Sequence, residues 1–91
     1  MKIVINTSHG VFGLSTEALS HFNERYGTVF TNDIQIKRND PILVQIVEEL
    51  GEDADGRFAE LRVVEIPDDV QWQIEEYDGK EWIAEKHRTW N

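Results

Sequence analysis

The chain has no cysteine in its 91 residues, which excludes disulfides and thiolate zinc sites and makes a cytoplasmic location the simplest expectation. It has no apolar run near the roughly 18 residues that a membrane helix requires. It does not open on a basic stretch followed by a long apolar one, so no secretory signal is expected. Bases are scarce as well: 9 Lys and Arg stand against 18 Asp and Glu, for a formal net charge of -9. Such a field repels phosphate backbones and anionic lipid, so direct contact with nucleic acid or membrane is not expected. What is present is 40% hydrophobic residues at regular spacing, enough for one folded domain over residues 1–91.

The acids are unevenly placed. Residues 1–47 carry four acids and four bases, whereas residues 48–85 carry fourteen acids and three bases. Lys86 and Arg88 follow in the tail. The acidic half favours a partner with a basic surface.

Local signals divide the chain into elements. Ile3-Val4-Ile5 within Lys2–Thr7 reads as a buried strand. Ser15 is an N-cap, and Ala18, Leu19, Phe22 and Tyr26 share one face of the helix that follows, with Gly27 as its stop. Thr28–Thr31 and Ile34–Lys37 are expected as short strands about an Asn32-Asp33 turn. Asp40-Pro41 starts a second helix whose apolar face holds Leu43, Ile46, Val47 and Leu50, ending at Gly51. Glu52–Glu60 is expected as an exposed connection with a helical turn near Phe58. Leu61–Ile66 is a further strand. Asp78-Gly79 then closes a hairpin that pairs Trp72 with Glu85, Ile74 with Ile83, and Tyr77 with Lys80. Trp72, Ile74 and Ile83 share one face of it; Tyr77, Trp82 and Ala84 share the other. Helices kept apart from the closing strands favour a small α+β single domain, with a mostly antiparallel or mixed sheet, two helices and a C-terminal β-hairpin.

No catalytic signature is complete. The Gly10 and Gly13 loop leads a strand into a helix N-terminus, a junction that can hold an anion, but the Gly-Lys-Ser/Thr ending of a P-loop is absent. Ser8 and His9 invite a hydrolase reading, although adjacent side chains need not face each other. His9, His21 and His87 lack the spacing of a local metal site, and His21 belongs to a solvated helix face. Asp53-Ala54-Asp55-Gly56 fails the calcium-loop register, because Gly51 and Arg62 would occupy the first and twelfth positions. No metal or cofactor is therefore expected. Trp90, near the end, is expected to dock rather than fray, with His87 and Arg88 as a basic spot in the acidic half.

Three segments together carry a resemblance. They are Asn6-Thr7 with Gly10, Phe12 and Leu14-Ser15; Arg38-Asn39-Asp40-Pro41 with Val47-Glu48-Glu49-Leu50-Gly51; and Ile74-Glu75-Glu76-Tyr77-Asp78-Gly79 through His87-Arg88-Thr89-Trp90. In these the chain resembles a family of short uncharacterised proteins of tailed phages and their bacterial hosts. The resemblance implies a phage or prophage accessory protein acting inside the bacterial or phage-infected cell, and it brings no activity, cofactor or catalytic residue. That family's loop more often carries an aromatic residue and two adjacent glycines where this chain has His9 and Val11.

Two functions are compatible with these residues. The first is a non-catalytic interaction module, a candidate homo-oligomer, that meets a basic host or phage protein through Glu75, Glu76, Asp78 and Trp82. The second is a phosphate- or nucleotide-binding protein or enzyme built from Ser8, His9, Gly10, His87 and Arg88.

Overall fold

The computed structural model of the chain describes residues 1–32 and 36–85. The element order is β1 (Lys2–Asn6), α1 (Thr16–Tyr26), α2 (Pro41–Leu50), a 3-10 turn (Gly51–Ala54), β2 (Leu61–Glu65), β3 (Trp72–Tyr77) and β4 (Lys80–Glu85). The fold is α+β, with two helices and two antiparallel two-stranded sheets, β1–β2 and β3–β4. The expected Ile34–Gln35 portion of a strand and the docking of Trp90 lie outside the described residues.

Both helices start and stop where their caps stand. The Ser15 hydroxyl accepts from the Ala18 amide at 3.0 Å, and Gly27 leaves the helix at φ 66°. At α2 one Asp40 oxygen accepts from the Ile42 and Leu43 amides at 2.9 and 3.1 Å, with Pro41 in the first turn, where no N–H is needed. Leu43, Val44, Ile46 and Val47 of α2 are buried with Ala18 and Phe22 of α1, Val4 of β1 and Leu61 of β2. Ile3 and Ile5 point to the other face of β1 and are buried too, so this strand is covered on both sides.

The Tyr26 ring packs on Phe22 with centroids 4.8 Å apart, and its hydroxyl donates to Asp40. Desolvation, then the hydrogen bond and the charge of Asp40, raise the Tyr26 pKa above its ordinary value. The neutral phenol is thus favoured in the folded state. Its contribution is complete below the unfolded value of about 10 and is lost as the pH climbs through the raised folded value. Urea midpoints measured on the alkaline side should fall more steeply for the wild type than for Tyr26→Phe.

Two expected features are corrected. Thr28–Thr31 is not a strand, because the Asn23 side chain takes its backbone groups: Nδ2 donates to the Phe30 carbonyl at 2.8 Å, and Oδ1 accepts from the Phe30 amide at 3.0 Å. In Glu52–Glu60 the helical turn lies at Gly51–Ala54, and Phe58 sits in a turn closed by Ala59 N–H to the Gly56 carbonyl at 3.1 Å. Glu52 and Asp53 are exposed as expected, but the chain is held down at residues 54–56. Ser15 N–H donates to the Ala54 carbonyl at 2.9 Å and Gly56 N–H to the Gly13 carbonyl at 2.8 Å, and Ala54 is fully buried.

Hairpin β3–β4 has the pairing expected of its turn, with Trp72 opposite Glu85, Ile74 opposite Ile83 and Tyr77 opposite Lys80. Asp78 at φ 52° and Gly79 at φ 87° form the turn, the positive φ pair that a two-residue hairpin connection of this hand requires. Trp72, Ile74, Glu81 and Ile83 face inward and are buried or half-buried; most of the opposite face is exposed.

Candidate functional site

β1 ends at Asn6, which is fully buried and organises three segments. Its Nδ2 donates to the carbonyls of Gly79 at 2.8 Å and Ser8 at 3.1 Å, and its Oδ1 accepts from the Glu60 amide at 2.8 Å. Ser8 is consumed by the same arrangement. Its hydroxyl donates to the Phe58 carbonyl at 2.7 Å and accepts from the Gly10 amide at 3.3 Å. Gly10 is glycine because the chain passes there between two backbones: a Cβ would stand 2.0 Å from the Phe58 carbonyl oxygen. The turn closes on it from the hairpin side, where a Cβ on Gly79 would lie 1.4 Å from the Gly10 oxygen.

The loop is therefore occupied by its own bonds. Ser8 is wired to backbone carbonyls, His9 is exposed, and the Gly10 N–H points to Ser8 rather than outward. At the start of α1 the Ala18 amide meets the Ser15 hydroxyl, which itself donates to the Asp53 carbonyl at 2.6 Å. His87 and Arg88, the other half of the expected pocket, lie outside the described residues. Among the described residues no three His, Cys, Asp or Glu side chains converge as a metal site would need. Asp55 of the calcium-like run accepts instead from the Leu61 amide at 2.9 Å.

A second polar arrangement joins the hairpin to β1. Arg38 and Glu81 pair through two bonds of 2.6 and 2.8 Å. Glu81 Oε1 also accepts from the Asn6 amide at 2.8 Å, so a carboxylate stands where a neighbouring strand would place a carbonyl. Arg38 completes that edge of β1. Its carbonyl accepts from the Val4 amide at 2.8 Å, its guanidinium donates to the Val4 carbonyl at 3.3 Å, and its head lies 3.4 Å from the centre of the Phe12 ring. Glu81 is 9% exposed, so this pair is interior. From the sequence neither Arg38 nor Glu81 is assigned a structural role, beyond the charge count and, for Arg38, the resemblance. One signal was available: alternation puts Glu81 on the inward hairpin face beside Ile83, where an acid requires a cation.

The outward face of the hairpin is different in kind. Glu75 lies directly opposite Trp82, and Tyr77 opposite Lys80, all on one side. Trp82 is 43% and Tyr77 74% exposed. Of the four residues expected to form an interaction surface, Glu75 and Trp82 are brought together. Asp78 is in the turn. Glu76 belongs to the other face and accepts from the Gly79 amide at 2.9 Å, bracing the turn. The added member is Tyr77.

A cleft of about 430 Å³ runs between the end of α2 and β2, with Val47, Leu61 and Val63 in it and Glu48, Glu52 and Glu60 around it. Glu48 pairs with Lys2 at 3.0 Å and thereby raises the Lys2 pKa through hydrogen bonding and charge. No helix among the described residues is long and apolar enough to cross a membrane. Comparison with protein-family models, with curated proteins and with solved structures returned no match.

Proposed function

We propose that this protein is a non-catalytic interaction module that presents the outward face of β3–β4 to a basic partner protein. The observation that carries this reading is the exposed Tyr77 and Trp82 beside Glu75, on a hairpin whose inner face is fastened by the Arg38–Glu81 pair. Exposed aromatic residues on a rigid support are what protein interfaces use as anchors, because little side-chain entropy is lost on contact. The charge of the chain selects the partner. Residues 48–85 hold fourteen acids against three bases, so arginine and lysine on a partner gain both from the field and from the ring faces. The face itself carries one acid, Glu75, and one base, Lys80, so the preference for a basic partner rests on the field of the whole acidic half. In keeping with the resemblance to phage and prophage proteins, the proposed partner is a host or phage protein of the bacterial cell.

The ligand-binding alternative draws less support, since Ser8 and the Gly10 N–H are used within the loop.

The test is photocrosslinking from position 77 in a bacterial lysate, followed by affinity measurements on the captured protein. Trp82→Ala should weaken binding by about 30-fold, and Glu75→Lys together with raised salt should weaken it at least tenfold. Binding insensitive to salt and to both substitutions would overturn the proposal. So would capture of a second copy of this chain alone.

A further inference from the structure

We infer that the edge of β2 left unpaired among the described residues is a strand-addition site for an extended basic segment of another protein. This surface is distinct from the hairpin face, and the inference stands whether or not that face binds anything. Bonds from the Thr7 amide to the Glu60 carbonyl and from the Ile66 amide to the Met1 carbonyl fix the parity of the β1–β2 ladder. Residues 60, 62, 64 and 66 therefore turn their backbone groups toward β1. Leu61, Val63 and Glu65 turn theirs the other way. The Leu61 amide is taken by Asp55. The Val63 and Glu65 amides have no partner among the described residues and face outward on an edge that β1 does not use. An open edge of this kind pairs with any extended chain of suitable side chains.

The cleft of about 430 Å³ beside this edge selects those side chains. A residue added opposite Val63 shares its face and so enters the cleft over Val47 and Val63. The floor there is aliphatic; Glu48 is paired with Lys2 and Glu60 with Arg62, while Glu52 has no ion pair among the described residues. Lysine or arginine fits both, laying its methylene stem on the valines and its charge beside Glu52. A second copy of β2 does not fit. Antiparallel pairing centred on Val63 would set Glu65 of each copy opposite Leu61 of the other, beside Asp55 and Glu52.

The probe is a blocked heptapeptide of alternating lysine and valine, titrated into isotopically labelled protein and followed by amide hydrogen exchange. Binding should slow exchange at Val63 and Glu65 at least tenfold. The same peptide with alternate backbone nitrogens methylated keeps its charge but cannot pair, and it should bind at least tenfold more weakly. Glu52→Lys should weaken the unmodified peptide about tenfold, and Val63→Pro, which removes the outward N–H, should do so as well. Trp82→Ala should leave peptide binding unchanged, which separates this site from the hairpin face. Equal binding of the methylated peptide, no binding at millimolar concentration, or protection confined to residues 72–85 would each overturn the inference.

Discussion

Arg38→Ala is expected to lower stability by about 3–5 kcal/mol, the range found when a buried ion pair loses one member. The cause is what remains. Glu81 is 9% exposed and would keep only the Asn6 amide as a partner, with no cation beside it. Against a total of about 5–15 kcal/mol for a small domain, that loss approaches unfolding. Arg38 is 23% exposed along its side chain, so water reaches part of the guanidinium and the lower end of the range is expected. Glu81→Gln separates charge from shape, since it still accepts from Asn6 but leaves Arg38 unneutralised. The double variant Arg38→Met with Glu81→Gln should recover part of the loss. Urea unfolding at constant m-value measures all three. A loss below about 1 kcal/mol for Arg38→Ala would show the pair to behave as a surface contact.

Asn6→Ala should cost a similar amount, about 3–5 kcal/mol, by a different route. Its amide answers two part-buried needs at once, a donor for the Gly79 carbonyl and an acceptor for the Glu60 amide, both at 2.8 Å. Each group left without a partner costs about 1–3 kcal/mol, and the side chain's own packing is lost besides. Asn6→Asp tests this more sharply, because it keeps the shape and the acceptor oxygen. It would turn a carboxylate oxygen toward the Gly79 and Ser8 carbonyls, and should destabilise at least as much as alanine. If Asp is tolerated within about 1 kcal/mol in the same urea series, the hydrogen-bond assignment at Asn6 is wrong.

The two helices and the hairpin were legible in the sequence because their determinants are local. Ser15 and Gly27 bracket α1, Asp40-Pro41 and Gly51 bracket α2, and Asp78-Gly79 sets every pair of β3–β4. Thr28–Thr31 misled for a related reason. Its β-branched and aromatic residues favour a strand, but Asn23 supplied closer hydrogen-bond partners than another strand could. Alternation shows Glu81 facing inward, but which residues it meets was illegible because the members of the polar centre are far apart in the chain. Asn6 and Glu81 are separated by 75 positions and Arg38 and Glu81 by 43, and no spacing rule spans such distances. The loop of Ser8 and Gly10 stood out in the sequence. Its residues are demanding because three segments close on one another there, with Phe58 and Gly79 against Gly10.

The position of β1 has a kinetic consequence. The helices and the hairpin draw their first contacts from neighbours and can form within microseconds. β1 cannot, since it needs Arg38 on one edge, Leu61–Glu65 on the other and Gly79 and Glu81 at its end. High contact order of this sort moves folding toward the millisecond-to-second range. Leaving the ribosome before every other element and completed after them, Ile3-Val4-Ile5 is the stretch of this chain that spends longest exposed, and the one a chaperone would meet.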